Sequence, residues 1–160
     1  MEQPHKVDIA LGCNKDDRIK HFPDAVNLIF NQIGNIQIIS RIYNSQAAGF
    51  EGDDFLNCCS IVETTMSAED TMKQLLDIEK QLGRTRTPNA GYESRIIDLD
   101  MLLFDDLIID TKLLRVPHLK LRERKFVLQP LNDIASAVKH PTLKMTVSEL
   151  LESCNDSGLI

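Results

Sequence analysis

Ile96-Ile97-Asp98-Leu99-Asp100-Met101-Leu102-Leu103-Phe104 is the stretch on which the fold turns. Its β-branched and apolar content predicts a strand over 96–104. In its middle, Ile97, Leu99 and Met101 take one face, and Asp98 and Asp100 the other. Successive same-face residues lie roughly 6.5–7 Å apart at the Cα, so the two carboxylates can converge on bound cations. The plain alternative is a solvated strand face. Arginines on either side weigh against it: six of the chain's eight lie between residues 84 and 126, at 84, 86, 95, 115, 122 and 124. Clustered guanidinium groups beside paired carboxylates point to phosphate held by arginine and a divalent metal held by aspartate.

Working outward toward the N-terminus, 83–95 is a loop with a turn-rich Thr87-Pro88-Asn89-Ala90-Gly91. Before it, Ser67 followed by Asp70 predicts a capped helix running to about Leu82, with Gly83 as its stop. Its apolar positions are Met72, Leu75, Leu76 and Leu82, and Glu79 falls on their face. That carboxylate either snorkels to solvent at the last turn or faces a polar site. Residues 55–64 read as a strand with Phe55, Asn57 and Cys59 on one face. This is either a plain hairpin strand or a ligand wall, an aromatic for stacking and an amide for a heterocycle edge.

Residues 45–54 form a glycine-containing loop, and Ile36 to Tyr43 reads as one strand. Ile19, Phe22, Val26, Ile29 and Ile33 make a helical stripe over 16–33; Pro23 interrupts it, so the regular helix is expected to begin there with proline in its first turn, and Gly34 is the stop. Val7 to Leu11 is a short buried strand ended by Gly12-Cys13-Asn14, which is either a plain tight turn or a loop leading into a helix at a site edge. Beyond Phe104, Asp105-Asp106 is a turn, and Leu107 to Ile109 a short return strand. Leu121 to Phe126 is basic, and Val127 to Ala135 carries no assigned element. Pro141-Thr142 is a turn, Val147 to Leu151 a helix, and 155–160 reads as a frayed end. The order strand, helix, strand, strand, helix, strand is the ferredoxin-like β-α-β-β-α-β pattern of an α+β fold. It predicts a mainly antiparallel sheet with two helices on one face. C-terminal pieces cover the other face and complete an αβα sandwich.

The 160 residues are expected to form a single domain, 1–160, with 42% hydrophobic and 26% charged residues. A net charge of −6 argues against a general nucleic-acid or anionic-membrane surface and makes the arginine cluster stand out. No apolar run approaches the roughly 20 residues of a membrane span, and the first residues lack a signal-peptide core. Cys13, Cys58, Cys59 and Cys154 have no metal-type spacing and read as reduced thiols of a cytoplasmic protein.

Four blocks then occur in order: Gly83-Arg84-x-Arg86; Arg95-x-x-Asp98-x-Asp100 with trailing aliphatics; Pro117-His118; and Arg124-x-Phe126-Val127-Leu128-x-Pro130-Leu131. Together they resemble 6-hydroxymethyl-7,8-dihydropterin pyrophosphokinase of folate synthesis, from Gly12 to Pro141. The resemblance implies transfer of the β,γ-diphosphate of ATP to a reduced pterin, with release of AMP. It implies two Mg ions on Asp98 and Asp100. Arg84, Arg86 and Arg95 match loop arginines acting on phosphates, with Arg84 and Arg95 joining the two aspartates in catalysis. Glu79, His118 and Arg124 match further ATP contacts. Phe55 and Phe126 match the aromatic pair around the pterin, Asn57 the amide at its edge, and Ser45 a hydroxyl of the neighbouring loop. Small-molecule substrates and a monomeric state go with this reading. The chain departs from the family pattern at Ala47, Glu93 and Leu119. No Ser-His or Cys-His nucleophile stands out, so direct transfer is expected. The base is either a metal-linked carboxylate such as Asp98 or water.

Two other classes compete. A ferredoxin-like nucleic-acid-binding module would need stacking aromatics on a basic sheet face. A metal-dependent nuclease would want further carboxylates around Asp98 and Asp100.

Overall fold

The computed structural model describes residues 3–13, 18–45, 55–83, 85–86, 93–94 and 97–155, of which 18–20, 45, 85–86 and 93–94 are described as backbone. In chain order the elements are β1 (His5–Cys13), α1 (Arg18–Gln32), β2 (Asn35–Ile39), β3 (Tyr43–Ser45), β4 (Phe55–Thr64) and α2 (Ala68–Gln81). Then come β5 (Thr85–Arg86), β6 (Glu93–Ser94), β7 (Asp98–Phe104), β8 (Ile109–Asp110), β9 (Arg115–Val116), a 3-10 turn (Leu121–Glu123), α3 (Lys125–Ala135) and α4 (Val147–Glu152).

The main sheet has the order β2-β4-β1-β7, with β3 also on β4, and every pairing in it is antiparallel. Strands one and three of the β-α-β-β-α-β series are the central pair, as the ferredoxin-like reading requires. Alternation along the strands sends side chains into two separate cores. Val7, Ile9, Leu11, Cys58, Val62, Leu99 and Met101 pack with Phe22, Ala25 and Ile29 of α1 and Leu75 and Ile78 of α2. Ala10, Cys59, Leu102 and Leu103 pack with Val127, Leu128 and Leu131 of α3 and Val147 and Leu150 of α4. Helices therefore cover both faces, and the expected αβα sandwich is present.

Several local expectations are corrected. β1 runs on through Gly12 to Cys13, because Gly12 pairs with Asn57 on one side and Asp98 on the other. Pro23 is the sixth residue of α1 rather than part of its first turn. The strand expected over 36–43 divides into β2 and β3. Between them Ser40 donates its N–H to the Cys59 carbonyl, while its Oγ accepts from the Cys59 N–H. On α2 Ser67 does cap, accepting from the Asp70 N–H, and Gly83 follows at φ 101°. However, Ile78 rather than Leu76 faces the core: Leu76 is exposed. A return strand does form after the Asp105 turn, but it pairs with β9 and not with β7. Residues 125–135 form α3 with Pro130 inside it, a helix the sequence reading left unassigned. The α4 start carries a full capping box, Thr146 with Glu149.

One irregularity positions the site. Asp8 pairs with Leu103 and Ile9 with Met101, so Leu102 is an extra residue bulged out of the β1–β7 ladder. Its carbonyl accepts the His118 N–H at 2.9 Å. The bulge thus ties the segment after β9 to the free edge of β7.

Candidate active site

Antiparallel register aligns the candidate residues in rows across the sheet. Tyr43 lies opposite Asn57, Asn57 opposite Gly12, and Gly12 opposite Asp98. The next row is Cys59, Ala10, Asp100, and Ser45 lies opposite Phe55. Opposed residues share a face, so Asn57 and Asp98 stand on the α3/α4 side with one strand between them. At about 4.8 Å per strand, their backbones are roughly 10 Å apart. Gly12 and Ala10 keep the floor between them low. A Cβ on Gly12 would come within 3.1 Å of Asn57 Oδ1, so the amide lies over the glycine. Asn57 is buried and Phe55 half-buried. Gly12 stands in this row as a strand residue, rather than in the turn or site-edge loop that the sequence predicts. The signal lay in its position two residues beyond Ala10, at the end of an alternating strand.

Asp98 and Asp100 are both half-buried. Arg124 brings Nη1 to 3.8 Å from Asp100 Oδ2, and its guanidinium carbon lies 5.7 Å from the centre of the Phe126 ring. His118 Nδ1 accepts the Lys120 N–H at 3.2 Å. In the neutral ring the proton is then on Nε2, which is left as a donor. Burial pushes the His118 imidazole below its ordinary value, against the pull of the Asp100 carboxylate. A cleft of about 420 Å³ opens beside these groups, with Asp100, His118, Arg124, Met72, Leu114 and Arg115 among its lining. Phe55, Asn57 and Phe126 are not among its walls. The cleft therefore meets the candidate carboxylates at Asp100.

Glu79 does not snorkel. It is 5% exposed, and its Oε2 accepts the Leu99 N–H at 2.8 Å. β7 is an edge strand of the main sheet, so the carboxylate takes the place that a further strand would occupy. It fixes the backbone between Asp98 and Asp100 from the α2 side. Arg84 and Arg95 lie outside the described residues, as do the side chains of Arg86 and Ser45. The backbone around that loop pairs Thr85 with Ser94 and Arg86 with Glu93.

The donors fit magnesium. Both are hard carboxylate oxygens on one face, and Mg²⁺ is held by one or two carboxylates together with waters and substrate phosphates. Among the described residues no group of three or more His, Cys, Asp or Glu side chains could hold a metal ion.

The family model for 7,8-dihydro-6-hydroxymethylpterin-pyrophosphokinase (HPPK) matches residues 8–136. A protein of Aquifex aeolicus named 2-amino-4-hydroxy-6-hydroxymethyldihydropteridine pyrophosphokinase is 35% identical over 89% of this chain and 88% of its own length. The chain belongs to the HPPK family. HPPK proteins are ATP-dependent diphosphokinases of folate synthesis acting on a hydroxymethyl pterin, as the four motif blocks implied. The Bacillus subtilis enzyme of the same name is 37% identical over 82% of the chain and 78% of its length. The folic acid synthesis protein FOL1 of Dictyostelium discoideum is 35% identical over 96% of the chain, which spans only 23% of that protein. In fold, the chain is similar to the crystal structure of Plasmodium falciparum HPPK-DHPS, with a TM-score of 0.75 at 16% identity, covering 94% of this chain and 44% of that one. No helix among the described residues is long and apolar enough to cross a membrane.

Proposed function

We propose that this chain transfers the β,γ-diphosphate of ATP to 6-hydroxymethyl-7,8-dihydropterin. The hydroxymethyl oxygen bonds to the β-phosphorus, the bond from that phosphorus to the α,β-bridging oxygen breaks, and AMP leaves. The hydroxyl proton passes to a carboxylate such as Asp98 or to water. The observation that carries this reading is the row Asn57, Gly12, Asp98, with Asp100 flanked by Arg124 and His118. It supports a reading in which a heterocycle wall and a phosphate cluster share one face, about two strand spacings apart.

Asp98 and Asp100 would hold two magnesium ions, which neutralise phosphate charge during an in-line displacement. Arg124 and the Nε2–H of His118 donate to the triphosphate, joined by Arg84, Arg86 and Arg95 from the loop. Arg84 and Arg95 act on the group in flight, where donors to developing charge count most. Glu79 serves the nucleotide side through β7. Phe55 and Phe126 stack on the pterin, Asn57 binds its edge and Ser45 lies beside it. Residues 1–160 act as one pyrophosphokinase domain, a monomer in the cytoplasm, with small molecules rather than nucleic acid or membrane as partners. Four free cysteines, three of them buried, suit a reducing compartment.

The nuclease and nucleic-acid readings lose ground to family membership. The deciding experiment mixes the protein with magnesium, ATP and 6-hydroxymethyl-7,8-dihydropterin. AMP should appear only with all components present. Absence of AMP would overturn the assignment.

A further inference from the structure

The heterocycle wall is backed by a feature that none of the motif blocks contains. β3 has three residues and, among the described residues, pairs with Phe55, Leu56 and Asn57 of β4. It is tied to α3 by the Asp133 carboxylate and, through the Tyr43 hydroxyl, by the Gln129 side chain. Asp133 accepts from Arg41 Nη2 at 2.9 Å and Nε at 3.1 Å, and the Tyr43 hydroxyl lies 2.9 and 3.0 Å from its two oxygens. The Arg41 guanidinium also lies over the Tyr43 ring, 5.5 Å from its centre. Arg41 is mostly exposed, but the Asp133 side chain is only 12% exposed. Arg41's hydrogen bonds hold the Asp133 carboxyl below its ordinary value, so it is ionised at neutral pH. A bidentate charge-assisted pair plus a phenol is a stiff arrangement.

Its placement gives it a purpose. Tyr43 lies directly opposite Asn57, so their side chains are neighbours, with Cβ atoms about 5 Å apart. Asp133 lies seven residues beyond Phe126 on α3, two turns along the same helix face. The link therefore joins the strand behind Phe55 and Asn57 to the helix that carries Phe126. We propose that Asp133 is a positioning residue for the pterin. Through Tyr43 and Arg41, it fixes the Asn57 wall relative to the Phe126 wall and so sets the width of the heterocycle slot. It touches neither the aspartates nor the phosphate cleft, so its effect falls on the acceptor and not on ATP. This inference rests on the pyrophosphokinase reading.

The test measures pterin binding, with a non-hydrolysable ATP analogue present, and both KM values. Wild type comes first. If it neither binds the pterin nor releases AMP, the functional reading itself fails. With an active wild type, Asp133→Ala should raise the pterin Kd and KM by about tenfold and leave the ATP KM within about twofold, the scale of one lost anchoring interaction. Asp133→Asn keeps an acceptor for Tyr43 and should recover part of the loss. Tyr43→Phe removes only the hydroxyl, which meets Asp133 and Gln129, and combined with Asp133→Ala it should raise the pterin Kd by less than the product of the two single effects, because both variants remove the Tyr43–Asp133 contact. Pterin binding unchanged in folded Asp133→Ala overturns the inference, as does an equal rise in both KM values. Should Asp133→Ala fail to fold, unchanged pterin binding in Tyr43→Phe overturns it instead.

Discussion

Replacing Asp8 with asparagine should shift stability in the variant's favour as pH rises, with a net stabilisation once pH exceeds about 7. Asp8 is 5% exposed, in the middle of the central strand β1, on the face that packs against α3 and α4. Its row neighbours are Ile61 and Leu103. Burial pushes its carboxyl from 3.8 up to about 7, with Asp105 adding to the shift and Lys6 opposing it. Between these two values the folded chain holds a proton that the unfolded chain has released. Stability therefore falls as pH rises through that window and is flat above it. At about 1.4 kcal/mol per pH unit, the ionised carboxylate costs about 4 kcal/mol once pH exceeds 7. Asparagine removes this term, while its buried amide brings a pH-independent cost of about 1–3 kcal/mol. The diagnostic is the slope. From pH 4 to pH 8, the stability of Asp8→Asn relative to wild type should rise by about 4 kcal/mol. That is roughly 2 M in urea midpoint, or about 8–16 °C in Tm. Urea titrations of both proteins at pH 4, 5, 6, 7 and 8 provide the measurement. Parallel profiles would refute the reasoning, since they would mean that Asp8 ionises in the folded state as it does in the unfolded one.

At the site, Asp98→Ala and Asp100→Ala should abolish magnesium-dependent binding of an ATP analogue, read by calorimetry, with Tm little changed. In Asp100→Ala the cation Arg124 loses its carboxylate at 3.8 Å, so metal-free nucleotide binding should persist. Normal turnover in either variant would refute the metal role. Gly12→Ala places a methyl 3.1 Å from Asn57 Oδ1 and must move the amide by a few tenths of an ångström. The pterin KM should rise by about tenfold and the ATP KM should hold. Equal KM values in variant and wild type would show that Asn57 does not read the pterin.

Local pattern explains what was legible. β4 was bounded correctly because its alternation, Phe55, Asn57, Cys59, is uninterrupted, and α2 because Ser67 and Gly83 mark its ends by backbone chemistry. α3 was missed because Pro130 reads as a helix breaker. In the fold, Val127, Leu128 and Leu131 bury themselves against the sheet, and that packing outweighs one lost backbone hydrogen bond. The core face of α2 was misjudged for a similar reason. From Leu75, steps of three or four reach either Ile78 or Glu79, and both turn inward. Glu79 does so because it meets the unpaired Leu99 N–H.

The sequence by itself determined that Asp98 and Asp100 share a face, since a strand repeats every two residues. It also determined the order of elements that makes an antiparallel α+β sheet, and the motif blocks that mark the family. Only the tertiary structure decided that Gly12 separates Asn57 from Asp98, that a bulge at Leu102 holds His118 beside Asp100, and that Asp133 ties β3 to α3. Each of these depends on which strands become neighbours and in what register. Such pairings join residues distant along the chain, 90 positions apart for Tyr43 and Asp133, where no local periodicity reaches.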